Sequence, residues 1–232
     1  MVSHFTLHLK GVSLELNFII QPIVSRYNIV AYECLSEIKS DSIEAPLDKA
    51  EFFSSLSKKN LRDIVIAQVS ILNRYAYSLG EVVVSINMPA SLILDSKFIT
   101  RVCTSAKFNL AIEVTDIDIA DKELEALSLK IDSYTNNNYA EFWLDDFCLK
   151  NFNASIITSL SWKAIKLDKS ILESDEILRE TIEVCSISQN SHLIFEGVES
   201  SEVCEKINYQ NQDALMQGYY FGKPRTIDFY VS

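Results

Sequence analysis

The sequence predicts a closed α/β barrel of the (β/α)8, TIM type whose first strand runs antiparallel to the others. Three observations predict it. Eight short apolar stretches with strand character recur along the chain, and from the second onward helix-like segments separate them. The connection between the first two, Ser25-Arg-Tyr-Asn28, is too short for a parallel crossover, which needs roughly a dozen residues or more, so that pair is antiparallel. An open doubly wound sheet is the alternative architecture, and it is disfavoured because no Gly-rich phosphate loop follows any strand.

The elements follow in order. Phe18 to Val24 reads as the first strand, and Ile29 to Ile38 as the second, with alternation through Val30, Tyr32, Cys34 and Ser36. Asp48 followed by Glu51 resembles a capping box that opens a helix through Leu56. Apolar residues at 61, 64, 65, 69, 72, 76 and 79 predict one helix from Leu61 to Leu79, stopped by Gly80. The remaining strands are expected at Val82–Asn87, Leu110–Thr115, Glu141–Asp145, Ala164–Leu167, Leu193–Glu196 and Ala214–Gln217. The helices between them are expected near 96–106, 121–134, 154–160, 174–190 and 200–208.

Composition removes several function classes. The 232 residues are 48% hydrophobic and 23% charged, with only five Gly and four Pro, so linkers and low-complexity tracts are absent. Twenty-one basic against thirty-two acidic residues gives a net charge of −11, which argues against a DNA or RNA duplex as partner. An anionic small ligand remains compatible if metal ions supply positive charge. The five cysteines, at 34, 103, 148, 185 and 204, form no CxxC pair and are odd in number, which points to reduced thiols. His4, His8 and His192 have no setting that suggests a triad or a His-rich metal centre. No apolar run approaches the roughly 20 residues of a membrane span. Residues Met1 to Lys10 do not read as a secretory signal, and a cytoplasmic location is expected.

Polar residues interrupt the strands near their carboxyl ends. Glu33 lies within the second strand, Asn87 ends the third, and Glu113 lies in the fourth. Asp145 and Asp146 end the fifth, Lys166 lies in the sixth, Glu196 ends the seventh and Gln217 ends the eighth. Taken singly, each has a structural alternative: a solvent-facing or paired Glu, a turn at Asn87, a helix cap at Asp145-Asp146, an ion-pair lysine, a turn at Glu196. Taken together they fall at equivalent strand ends, which a barrel gathers at one mouth. Buried carboxylates need compensation. An oxygen-rich set without His or Cys suits a hard divalent ion such as Mg²⁺ or Mn²⁺. Two adjacent aspartates can hold two ions a few ångström apart, the arrangement used for in-line attack on a phosphodiester.

These residues resemble the EAL domain family, bacterial phosphodiesterases that open cyclic di-GMP. Gln21-Pro-Ile is similar to the family's opening segment, and Glu33-Cys-Leu35 stands where the naming Glu-Ala-Leu lies. Ser85-Ile-Asn87, Ile112-Glu-Val-Thr-Asp116, Leu144-Asp-Asp-Phe147, Ile165-Lys-Leu-Asp168, Glu196-Gly-Val-Glu199 and Gln217-Gly-Tyr-Tyr-Phe-Gly-Lys-Pro224 follow in family order. The resemblance covers about residues 18 to 230 and implies a single barrel domain over 1–232. It also implies that Glu33, Asn87, Glu113 and Asp145 hold one metal ion, while Asp146 helps to hold a second with Asp145 between them. Lys166 would orient or activate the attacking water. Glu196 would be a second-metal ligand or general base, and Gln217 would support the water and the substrate phosphate. Gln21, Leu35 and Pro224 would contact substrate, and Asp116 would steady the loop after Asp146. Cyclic di-GMP is the implied substrate, two Mg²⁺ or Mn²⁺ ions the implied cofactors, and a homodimer an implied assembly.

Departures from the family pattern are local. Cys34 replaces Ala, and Glu37 stands where an Arg is usual, exchanging a bidentate phosphate contact for repulsion. The usual Asp-Asp-Phe-Gly-Thr-Gly is here Asp145-Asp-Phe-Cys-Leu-Lys150. If that loop needs positive φ at 148 and 150, Cys148 and Lys150 would strain it or force another conformation. Asp116 is one methylene shorter than the usual Glu. The expectation is therefore a cyclic di-GMP phosphodiesterase, weakened by Glu37 and the 147–153 loop. The alternative is a degenerate domain that binds cyclic di-GMP or a protein partner as a non-enzymatic regulator.

Overall fold

A computed structural model describes residues 4–9, 12–26, 28–39, 49–117, 119–149, 155–188 and 191–231. Strands β1 (His4–Leu9), β2 (Val12–Val24) and β3 (Ile29–Lys39) form an antiparallel meander. Helices α1 (Lys49–Ser54), α2 (Lys58–Leu72) and α3 (Ala76–Leu79) precede β4 (Val83–Pro89). After it come α4 (Ala90–Ile93), α5 (Ser96–Ser105), β5 (Asn109–Thr115), α6 (Asp121–Asn136) and β6 (Glu141–Phe147). The second half runs α7 (Ser155–Ser159), β7 (Ala164–Leu167), α8 (Asp175–Cys185), β8 (His192–Phe195), α9 (Ser201–Gln210), β9 (Leu215–Gln217), β10 (Arg225–Thr226) and α10 (Ile227–Val231).

Strands β2 to β9 close an eight-stranded barrel. The pairs from β3 to β9 are parallel. β2 is antiparallel to both its neighbours and completes the ring through Ile23 opposite Gln217 and Val24 opposite Met216. The expected architecture and the reversed first strand are both present. Large apolar side chains on the outward faces, Leu16, Phe18 and Ile20 on β2 among them, pack under the helices. The inward faces carry a separate plug of Ile23, Ala31, Ala111, Trp143, Ala164 and Ile194. Three alanines make room for the one large ring, as close packing inside a narrow barrel requires.

Several helices start on side-chain caps that the local sequence supplies. Ser57, Asp95, Ser174 and Ser200 accept from backbone N–H groups in the first turns of α2, α5, α8 and α9. Gly80 ends α3 with φ of 58°, as its position in the sequence suggests.

The structure corrects some expectations. β1 lies beyond the expected strands; His4, Thr6 and His8 are exposed while Leu7 is buried, the alternation of a half-buried strand. The helix expected over 61–79 is broken by a 3-10 turn at Asn73–Tyr75. There the Asn73 side chain donates to Ser105 O (2.8 Å) and accepts from Lys107 N (2.7 Å), tying the turn to the end of α5. The helix expected over 174–190 ends at Cys185 and follows a 3-10 turn at Lys169–Glu173. Asp48, the expected cap of α1, lies outside the described residues. Among the described residues no helix is long and apolar enough to cross a membrane.

Candidate active site

Strand alternation builds the site directly on the apolar plug. Side chains two residues apart share a face, so the residue two steps toward the mouth from each plug position points into the same axis. Ala31 is followed by Glu33, Ala111 by Glu113, Trp143 by Asp145, Ala164 by Lys166 and Ile194 by Glu196. Val83 and Leu215, which pack against the plug, are followed by Ser85 and Gln217. On β2 the direction reverses, and the residue two before Ile23 is Gln21, paired with Glu33. Each barrel strand thus contributes one polar side chain to a single layer, and Asn87 stands one step above it on β4.

Lys166 is the centre of that layer, 2% exposed, with four carboxylates around its ammonium. Nζ lies 2.8 Å from Glu113 Oε2, 2.8 Å from Glu196 Oε1, 3.1 Å from Asp145 Oδ1 and 3.3 Å from Glu33 Oε2. Asn87 donates to Glu33 Oε1 at 3.2 Å, and Gln217 donates to Glu33 Oε2 at 2.6 Å and to Gln21 Oε1 at 3.4 Å. Gln21 donates onward to Gly222 O at 3.1 Å, which anchors the segment after β9. Gln217 Oε1 is buried with no hydrogen-bond partner among the described residues. Turning the amide over would set oxygen against the Glu33 carboxylate, so Glu33 fixes its orientation.

The pattern is that of the EAL domain, whose family model matches residues 10–224. The chain belongs to the EAL domain family. Solved structures agree in fold. The PaMucR phosphodiesterase, in complex with c-di-GMP, is 17% identical with a TM-score of 0.73, over 92% of this chain and 93% of that one. BlrP1 of Klebsiella pneumoniae, in a manganese/cy-diGMP complex, is 20% identical with a TM-score of 0.68, over 97% of this chain and 59% of that one. The EAL enzyme Bd1971, in a cGMP-bound form, is 17% identical with a TM-score of 0.75, over 93% of this chain. This chain spans 64% of the length of Bd1971. Among curated proteins none matches.

The charges of the EAL mouth do not balance. Four carboxylates share one ammonium, which leaves a formal excess of three negative charges before Asp146 is counted. Burial opposes the charge on Lys166, yet Asp145, Glu113, Glu196 and Glu33 outweigh it and hold the amine protonated. Burial raises Glu33, but Lys166, Gln217 and Asn87 together bring it below the usual range. The shortage of positive charge falls on the others. Burial, then the Glu33 charge, drives Glu113 well up, and burial with Asp145 and Glu33 brings Glu196 to about 7 against the pull of Lys166.

Added cations would relieve this excess, and the donor set fits hard divalent ions: Glu33, Glu113, Asp145, Asp146 and Glu196 offer carboxylate oxygens and Asn87 an amide oxygen. Among the described residues no group of three or more His, Cys, Asp or Glu side chains stands in a metal-holding arrangement. The carboxylates are drawn onto Lys166 instead.

A bulge explains how both aspartates reach the mouth. The register between β6 and β7 shifts between Leu144 and Phe147, and Asp146 takes φ of 52°. The extra residue lets Asp145 point inward, leaves Asp146 exposed at the rim and turns Phe147 into the outer core. Without it, strict alternation would bury Asp146 among apolar side chains. Desolvation by the rim and the Asp145 charge lift Asp146 to about 6.

The other expected residues lie further out. Leu35 and Glu37 follow Glu33 along one face of β3, opposite Ile19 and Asn17 of β2, as a wall above the mouth. Pro224 is half-buried between Gly222 and β10. Asp116 is exposed with φ of 51°, and among the described residues no hydrogen bond joins it to Cys148 or Leu149. Cys34 faces away from Glu33, fully buried, with its thiol pushed up by burial. Of the two outcomes expected at Cys148, strain or another conformation, the backbone takes the second: among described non-glycine residues positive φ occurs only at Asp116, Asn138 and Asp146. Cys148 is buried and its sulfur accepts from Ser170 Oγ at 3.5 Å. Lys150 lies outside the described residues. Ser85 was not among the expected site residues, because a serine in a strand carries no signal until register places it.

Proposed function

We propose that this EAL domain is a metal-dependent phosphodiesterase that hydrolyses cyclic di-GMP to linear pGpG in the cytoplasm, with Mg²⁺ or Mn²⁺. The observation that carries the reading is the focusing of Glu33, Glu113, Asp145 and Glu196 on Lys166 in one layer at the barrel mouth. Glu33, Asn87, Glu113 and Asp145 would hold one ion, and Asp146 would help to hold a second, with Asp145 between them. Bound there, the ions supply Lewis acidity and lower the pKa of water.

The chain's own groups do the rest. Glu196, held 2.8 Å from Lys166 Nζ, would serve either as a ligand of the second ion or as the base that takes a proton from the attacking water. The water oxygen forms the new P–O bond, the P–O3′ bond breaks, and the leaving 3′ oxygen takes up a proton from solvent. Lys166 offsets negative charge that builds on the phosphoryl oxygens. The unpartnered Gln217 Oε1 is an acceptor, suited to orient the water by one of its protons. Gln21, Leu35 and Pro224 line the approach of the substrate.

The test is turnover of cyclic di-GMP by the purified chain with Mg²⁺ and with Mn²⁺. Slow hydrolysis that Glu33→Ala abolishes is expected. Zero turnover with both ions, unrescued by placing Gly-Thr-Gly at 148–150, overturns the reading. Glu37 on the mouth wall favours a second reading, a regulator that binds cyclic di-GMP or a protein partner without turnover, because its charge opposes incoming phosphates. That reading predicts binding without product, with this chain acting as a homodimer or on another protein.

A further inference from the structure

We propose that Ser85 is a positioning residue that sets the Glu113 carboxylate and through it the affinity for divalent cations; the metal half of this inference rests on the reading above. Ser85 is fully buried on β4, level with Glu33 on one side and Ala111 on the other. Its neighbours in the barrel interior at that height are small or polar, and its own side chain is the layer's only hydroxyl. Ser85 Oγ makes a short hydrogen bond to Glu113 Oε1, while its distance to Tyr32 O is 3.4 Å. One hydroxyl proton serves one acceptor, and the shorter contact assigns it to Glu113.

Glu113 is fully buried, so each of its oxygens depends on a protein partner. Lys166 holds Oε2 and Ser85 holds Oε1. The two contacts approach from different strands, β7 and β4, and together fix the tilt of the carboxylate plane. Losing the hydroxyl leaves the buried Oε1 without that partner and frees the carboxylate to rotate about the Lys166 contact. Groups that orient a metal ligand in this way typically change metal affinity or activity by about 10- to 100-fold when removed.

The experiment combines metal-free melting with Mn²⁺ titration calorimetry on Ser85→Ala and Ser85→Thr. Ser85→Ala should lower Mn²⁺ affinity about 10-fold or more, and Ser85→Thr, which keeps the hydroxyl, should restore most of it. In metal-free protein Ser85→Ala should lower Tm in the wild-type background but not in a Glu113→Ala background, where the hydroxyl has no carboxylate to hold. Glu113→Met serves as that background if Glu113→Ala does not fold. Equal Tm losses in both backgrounds, or unchanged Mn²⁺ affinity in Ser85→Ala, would overturn the inference. A wild-type chain that binds Mn²⁺ with the expected Ser85 dependence but leaves cyclic di-GMP intact overturns the proposed hydrolysis and supports this inference. A wild-type chain that binds neither Mn²⁺ nor Mg²⁺ overturns both.

Discussion

Lys166 and Glu113 form an ion pair, Nζ to Oε2 at 2.8 Å, in which neither side chain has more than 2% of its surface in solvent. A pair this deep is costly to assemble and costlier to break, because the surviving charge has nowhere to go. Here the surviving charges would be four carboxylates, since Glu33, Asp145 and Glu196 lean on the same ammonium.

Lys166→Met should therefore destabilise the metal-free protein by about 3–5 kcal/mol, read as a lower denaturation midpoint. Added Mn²⁺ should recover much of that loss while hydrolysis stays absent. A midpoint equal to wild type without metal would show that the carboxylates do not depend on Lys166.

The pH dependence of the metal-free protein follows from Glu196 and Asp146, whose folded pKa values are raised, to about 7 from 4.5 and to about 6 from 3.8. A raised carboxyl binds more protons folded than unfolded. Its contribution is full below the unfolded pKa and is lost as pH rises through the folded one. Tm should thus fall as pH rises from about 4 to about 7, and saturating Mn²⁺ should flatten the slope. Asp95 acts in the opposite sense: backbone N–H bonds from Phe98 and Lys97 and the Arg62 charge lower its pKa, so its contribution is present above the unfolded value and fades as pH falls through the lowered one. Melting curves across this range, with and without Mn²⁺, check both limbs.

Glu37 faces the mouth side of the β2–β3 wall, two residues beyond Leu35. Glu37→Arg replaces a repelling charge with a two-pronged phosphate donor, and a hydrogen bond to a charged group contributes about 1.5–3 kcal/mol. Cyclic di-GMP should bind roughly 10-fold tighter or more, with kcat little changed, because the contact exists before the transition state. Binding calorimetry with Ca²⁺, which is expected to support hydrolysis poorly, separates the two. A change confined to kcat would place Glu37 at the reaction itself.

Gly-Thr-Gly at 148–150 should lower stability and raise turnover together. Cys148 is packed and has no positive φ, so removing its side chain loses buried contacts and adds backbone entropy to the unfolded chain. The freed loop should let Asp146 settle on a second ion, increasing kcat. Parallel Tm and kcat measurements decide it. A lower Tm with unchanged kcat would mean that the loop does not limit the reaction.

The residue pattern alone carries the order of the eight barrel strands, the reversal of the first of them and most of the mouth. Glu33, Glu113, Lys166, Glu196 and Gln217 are legible because a polar residue in an apolar strand is a local signal with a period of two. The antiparallel start is legible because a four-residue turn cannot cross over. Which side chains meet is a matter of barrel closure. Barrel closure staggers the strands, so Ser85 finds Glu113 two steps up the neighbouring strand, and no local pattern marks that pairing. The bulge that brings Asp146 to the rim beside Asp145 is a register event between β6 and β7, and the break at Asn73 answers to Ser105 and Lys107 over thirty residues away. Lys166 as the hub of four carboxylates is likewise a property of the closed ring, because its partners come from β3, β5, β6 and the residue just past β8 and meet only when the barrel shuts.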